Sequence, residues 1–230
     1  MGEGLRIIVG LGNPGKQYQN TRHNAGYMAL AAMARLRDLD DPSRRGRSLV
    51  TNGRIEGRKV LLAWPQTFMN NSGQAVGELL GFYKLPTSSL LVIHDDMDVA
   101  LGRLKASSGG GCGGHNGVIS IQGEIGPEFD RLRVGIGRPP KGAFGGDYAP
   151  YVLSSFTASE GEIIDPALLL AAQAAVLWTF KGMAACQRKA NVRPKPPKEE
   201  TGNEAGGEPG KKALEDGPES PEGRQELKSQ

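Results

Sequence analysis

Leu5-Arg6-Ile7-Ile8-Val9-Gly10-Leu11-Gly12-Asn13-Pro14-Gly15 opens the chain with a short apolar run that stops at a glycine-rich turn. Such a run, bounded by glycine, reads as a buried first strand. The turn is polar as far as His23. Asn24 to Leu36, rich in Ala, Met and Leu, then reads as a helix whose first turn lies just after that histidine. Strand, glycine turn and helix in this order are the opening of an α/β fold.

The remainder keeps mixing the two periods. Leu49 to Ile55 and Lys59 to Trp64, separated by Glu56-Gly57-Arg58, read as a hairpin. Ser72 to Tyr83 reads as a helix with Ala75, Val76, Leu79, Leu80 and Tyr83 on one face. Leu90 to His94 is a further buried strand ending at the acidic turn Asp95-Asp96-Met97-Asp98. Arg103 to Ala106 and Leu132 to Ile136 are strands, with a glycine loop and a short helix near His115 to Ile125 between them. Glu162 to Lys181 is a long apolar helix, and the Gly/Pro/Tyr-rich stretch from Pro139 to Pro150 before it is a candidate mobile segment around Ala143 to Tyr151. The expectation is a three-layer α/β domain with a central mixed sheet and helices on both faces. Sites in such folds form at the carboxyl ends of strands, where Gly10, His94 and Gly137 all fall.

Composition divides the 230 residues into two parts. Of 28 basic and 25 acidic residues, 6 and 9 lie beyond Arg193, where Leu214 and Leu227 are the only large apolar side chains. Such a segment buries too little to offset its ordering entropy, so residues 194–230 are expected to be a disordered polar tail behind a folded domain of residues 1–193. The domain keeps 22 basic and 16 acidic residues, a net charge of +6. Two cysteines without metal-type spacing give no disulfide framework, and no signal peptide or long unbroken apolar run is evident. The chain therefore reads as cytosolic, with no membrane partner.

Several motifs compete for the chemistry. Gly10-x-Gly12-x-x-Gly15 after a strand matches a dinucleotide fingerprint. However, Lys16-Gln17-Tyr18-Gln19-Asn20 is turn-like where that fingerprint needs a helix, and no second strand ends in an acidic residue about twenty positions on. Asp95, Asp96 and Asp98 form a carboxylate cluster with the look of a hard-cation site, although strand alternation starts Asp95 and Asp96 on opposite faces. A strand-end carboxylate orienting a histidine is the other reading. Cys112, three residues from His115, lacks an assured base. His23, beside a helix start, is expected to stay neutral and able to accept a proton, because that end of a helix disfavours an imidazolium.

The segments GLGNPG, TRHNAG, FMNNSG, HDDMD, GGGCGGHNG and RLRVGIG occur in the order and at roughly the spacing typical of bacterial-type peptidyl-tRNA hydrolase, over about residues 5 to 190. The chain resembles that family. The resemblance implies hydrolysis of the ester between a peptide and the terminal ribose of tRNA, by a monomer, with no metal or cofactor. His23 then resembles the general base that activates water, and Asp95 the carboxylate that orients it. Asn13 resembles the residue that separates blocked from free aminoacyl ends, and Asn70 and Asn116 the amides that hold the peptide backbone and the attacked carbonyl. Tyr18, Phe68, Met69 and His115 resemble walls of the substrate groove. Relatives usually carry basic residues just before the glycine loop, where Ser107 and Ser108 stand here. Arg133 and Lys105 are therefore expected to share a phosphate of the tRNA end. A non-hydrolytic splicing-factor-like protein on the same fold is the alternative reading.

Overall fold

The computed structural model describes residues 4–192, so the expected tail, 194–230, lies outside the described residues. The opening apolar run forms β1 (Arg6–Gly10), and α1 (Ala25–Leu36) follows the polar turn as expected. β2 (Ser43–Arg45) precedes the hairpin β3 (Ser48–Ile55) and β4 (Arg58–Pro65). Its turn residues Glu56 and Gly57 have φ of 49° and 78°, the two positive values that a tight two-residue hairpin requires. Then come α2 (Ser72–Tyr83), β5 (Leu90–Asp96), β6 (Leu104–Ser108), α3 (Asn116–Ile125) and β7 (Asp130–Gly135). The described part closes with α4 (Ala149–Val152), α5 (Ala158–Lys181) and α6 (Met183–Ala190).

Seven strands form one sheet in the order β2-β3-β4-β1-β5-β7-β6. β1 pairs in parallel with β4 and β5, and β5 with β7, whereas the β2–β3, β3–β4 and β6–β7 pairs are antiparallel. Strand alternation sends Ile8, Leu62, Leu91, Ile93, Leu132 and Val134 to one layer, under α1, α5 and α6. Ile7, Val9, Leu61, Leu90 and Val92 go to the other, under α2 and α3. The expected three-layer α/β architecture with a mixed sheet is the architecture found.

α5 is long and apolar enough to cross a membrane, and half of its most apolar window is buried in the protein. Ile164, Ala167, Leu168, Ala171, Ala175 and Trp178 spend that apolarity on the core. The helix begins four residues before the expected Glu162. Thr157 Oγ1 accepts from the Glu160 N–H, and the Glu160 carboxylate accepts from the Thr157 N–H, a reciprocal cap that fixes the start.

Other boundaries shift for local reasons. β5 runs two residues past His94 because pairing with β7 continues through Asp95↔Val134 and Asp96↔Gly135. β6 extends to Ser108, so Lys105 and Ser107 leave the same face, as expected if that strand continued. The three residues of β2 are all exposed and carry no apolar pattern, and α6 is a short helix beyond the Gly182 stop. Neither was expected from the sequence. The Pro139 to Pro150 stretch holds turns over 141–146 and the start of α4.

Candidate active site

The site begins with a close crossing of backbones. A Cβ on Gly26 would stand 2.3 Å from the Ile93 carbonyl oxygen and 2.5 Å from the Leu11 nitrogen, and one on Gly10 would stand 2.4 Å from the Gly26 oxygen. Only glycine lets α1 lie this near β1 and β5. The crossing brings His23, three residues before Gly26, against Asp95, two residues after Ile93.

His23 Nδ1 lies 3.0 Å and 3.1 Å from the two Asp95 oxygens, which makes Nδ1 the donor and leaves Nε2 as the basic nitrogen. The other two histidines of the chain complete the group. His115 Nε2 lies 2.9 Å from Asp95 Oδ1, while its Nδ1 accepts the backbone N–H groups of Gly117 and Val118 and so caps α3. Those two partners assign the tautomer of His115: the proton is on Nε2, and it is donated to Asp95. His94 Nδ1 donates to the Asp95 backbone carbonyl at 2.7 Å, and its ring meets that of His115 edge-on.

Burial raises the Asp95 carboxyl, but the His23 and His115 imidazoles against it outweigh that and hold it well below the usual carboxylate range. For His23, burial lowers the pKa, yet the charge and hydrogen bond of Asp95 raise it further, and the net shift is upward. The helix start was expected to favour the neutral imidazole, and the carboxylate in contact acts in the opposite direction. His94 is pushed down to about 3, chiefly by burial and then by His115, so it is neutral at physiological pH.

These residues open onto a cleft of about 760 Å³. Asn13, Tyr18, Phe68, Met69, Asn70, His115 and Asn116, all named from the sequence, line it together with His23 and Asp95. Asn13 is held from three directions. Its backbone N–H donates to Asn24 Oδ1 at 2.8 Å, its carbonyl accepts from Asn24 Nδ2 at 3.0 Å, and its own Oδ1 accepts the Met69 N–H at 2.8 Å. With Oδ1 so engaged, Nδ2 is the group Asn13 offers to the cleft, and it is a donor only.

Lys105 and Arg133 do not line the cleft. They face each other directly across β6 and β7, with Lys105 exposed and Arg133 3.3 Å from Asp96. Sequence reasoning also missed contributors. Asn24 fixes Asn13, and Arg138, Tyr148, Val152 and Leu153 also line the cleft. Arg22 ties the segment that carries Tyr148, Val152 and Leu153 to the histidine turn. For Asn24 and Arg22 the available signal was their place on either side of His23 in Thr21-Arg22-His23-Asn24.

The three carboxylates of the acidic turn part company. Asp95 takes the two imidazoles, Asp96 takes Arg133 and the Asp98 N–H, and Asp98 takes Arg138 at 2.6 Å. Donor atoms of His23, Asp95 and His115 lie within 4.8 Å of one another, close enough for a shared metal ion. Because Nδ1 of His115 accepts two helix N–H groups, a metal on its Nε2 would need an imidazolate. Hydrogen bonding accounts for the trio without that cost.

The sequence profile of the family described as peptidyl-tRNA hydrolase matches residues 7–199. The chain is similar to peptidyl-tRNA hydrolase of Carboxydothermus hydrogenoformans, 48% identical over 177 residues, which cover 76% of this chain and 92% of the relative. It is also similar to that of Brevibacillus brevis, 47% identical over 176 residues with the same two shares. Among solved structures, it is similar to peptidyl-tRNA hydrolase from Acinetobacter baumannii, with a TM-score of 0.74, 34% identity, and coverage of 82% of this chain and 95% of that one. A peptidyl-tRNA hydrolase structure in complex with N-propanol gives a TM-score of 0.76 at 33% identity, covering 84% of this chain and 97% of that one.

Proposed function

The chain belongs to the peptidyl-tRNA hydrolase family, and from that premise we propose that His23 is the general base of its reaction and Asp95 the group that orients it. The enzyme hydrolyses the ester joining the peptide to the terminal ribose of peptidyl-tRNA. The observation that carries the assignment is the bond from His23 Nδ1 to Asp95, which leaves Nε2 free at the cleft. Nε2 takes a proton from water as the oxygen attacks the ester carbonyl, and the imidazolium formed is stabilised by the Asp95 carboxylate. The tetrahedral intermediate collapses, the ribose oxygen leaves and takes a proton from the imidazolium, and peptide acid and tRNA separate.

Asparagine amides do the gripping. A peptide of arbitrary side chains offers only its main chain, and Asn70 and Asn116 present donors and acceptors to it. An amide N–H among them stabilises the developing oxyanion. Asn13 presents a donor alone. A blocked end brings an acyl carbonyl that accepts from Nδ2, whereas a free aminoacyl end brings an ammonium that cannot, so the blocked end is favoured. Tyr18, Phe68, Met69 and His115 form walls of the groove. Lys105 and Arg133, adjacent on β6 and β7, hold a phosphate of the tRNA end outside the cleft. The reaction needs no metal or cofactor, and the enzyme acts as a cytosolic monomer whose catalytic domain spans residues 1–193.

The non-hydrolytic reading is not favoured, because His23, Asp95 and all three asparagines are present together. The test is release of N-acetyl amino acid from N-acetyl-aminoacyl-tRNA by the purified protein and by His23→Ala. A general base contributes about 10² to 10⁴ in rate. Near wild-type turnover by a folded His23→Ala protein would overturn the assignment.

A further inference from the structure

Arg22 precedes the proposed base in sequence, is 5% exposed, and points away from His23 toward residues more than 130 positions later. Its Nη2 donates to both Glu160 oxygens, at 2.8 Å and 2.6 Å. Its Nη1 reaches Ser154 Oγ at 2.6 Å and the Ser155 carbonyl at 2.8 Å, and its backbone N–H donates to the Ser154 carbonyl at 3.0 Å. The guanidinium lies over the ring of Tyr151, 4.5 Å away, and near that of Phe156 at 5.2 Å. Glu160 is itself fixed, since it caps α5 through the Thr157 N–H.

The element held in this way is α4, four residues long, which a single helical turn cannot hold in place by itself. Residues preceding it turn through Gly142, Gly145 and Gly146, each with positive φ, and meet it through Phe144, whose ring lies 6.0 Å from that of Tyr151, and Asp147, whose Oδ1 accepts the Ala149 N–H at 2.9 Å. Yet Ala149, Val152 and Leu153 are cleft wall. Besides the Arg22 contacts, α4 is tied down by Tyr151, whose hydroxyl donates to the Ile136 carbonyl at 2.7 Å.

We propose that Arg22 is a positioning residue for the substrate: it sets the spacing between the turn that carries His23 and the cleft wall of residues 148–153, using Glu160 as a fixed post. The inference rests on the cleft being the substrate site. An arginine suits the task because its planar fork serves a carboxylate, a hydroxyl and a carbonyl at once while its face stacks on aromatic rings. A lysine offers one point charge and no such plane.

The test compares Arg22→Lys, Arg22→Ala and Ser154→Ala with the wild-type full chain, using N-acetyl-aminoacyl-tRNA and following kcat, KM, the pH profile of kcat and the melting temperature. Arg22→Lys is expected to recover most of the melting temperature lost by Arg22→Ala through its pair with Glu160. Its KM should nevertheless stay about tenfold high, with an unchanged pH profile of kcat, because the wall is misplaced and the His23–Asp95 bond is not. Ser154→Ala, a partly exposed change that keeps the fold, should raise KM about two- to threefold. If Arg22→Lys restores stability and KM together, Arg22 is structural only and the proposal fails. It fails also if KM holds while kcat drops with a displaced pH profile, which would place the effect on His23. Phe68→Ala on another wall separates the two readings: if it too leaves KM unchanged, the cleft is not the substrate site.

Discussion

His23 and His115 donate to the same carboxylate through opposite ring nitrogens: Asp95 Oδ1 is 3.0 Å from His23 Nδ1 and 2.9 Å from His115 Nε2. His115 cannot turn away from Asp95 without giving up the cap of α3, so it fixes the carboxylate that holds His23. Asp95→Asn keeps the shape and removes the charge that favours an imidazolium. Turnover should fall by about 10² or more while the melting temperature shows a folded protein. Unchanged rates would take Asp95 out of the mechanism.

The same contact sets the pH dependence. A base must be neutral to work, so kcat/KM should fall as pH drops through the pKa of His23, which Asp95 raises above the ordinary 6.5. With Asp95→Asn the charge is gone and burial, which lowers the value, remains. The inflection in a profile from about pH 5 to about pH 9 should therefore move to lower pH. Movement in the other direction would show that another group is being titrated.

Asn13→Asp keeps an oxygen for the Met69 N–H and loses the Nδ2 donor, while adding a charge that attracts an ammonium. The ratio of kcat/KM for blocked over free aminoacyl-tRNA should shrink by about tenfold or more. An equal loss on both substrates would make Asn13 a structural residue alone.

Chelation should leave the rate unchanged, because His115 meets Asp95 through a protonated nitrogen and each carboxylate of the acidic turn has its own partner. Dialysis against EDTA followed by the hydrolysis assay checks this. Loss of activity restored by Mg²⁺ would favour the carboxylate cluster as a cation site.

Lys105→Ala should raise KM for full-length peptidyl-tRNA and flatten its salt dependence by about one counterion, with little effect on a substrate lacking the acceptor stem. Lys105 faces Arg133 across the strand pair, the arrangement on which the proposed phosphate contact rests. An unchanged salt slope would place the phosphate elsewhere.

Local pattern carried most of the fold. The apolar run at β1, the alanine-rich α1 and the hairpin with Glu56-Gly57 each follow from short-range chemistry, and the structure has them within a residue or two. β2 was not legible because its three exposed residues have no apolar period, and its strand character comes from pairing with β3. In the site, the glycine and asparagine clusters marked the cleft, but the partners of its residues were hidden. Arg22 reads locally as one more charge near a helix, and its partners Ser154 and Glu160 lie 132 and 138 positions away. The upward influence on His23 was hidden for a similar reason. The helix start is visible in sequence, whereas the influence of Asp95 comes from a strand 72 positions distant.

The parallel pairing of β1 with β5 joins Ile7 to Leu90 and Gly10 to Ile93, and no hairpin can make that connection. Such distant pairing closes late and slowly in folding. His23 and Asp95, brought together by this pairing, are therefore expected to meet only as the centre of the sheet forms. Recovery of hydrolysis during refolding should accordingly lag the return of helical signal, which makes the catalytic rate itself a clock for the completion of the sheet.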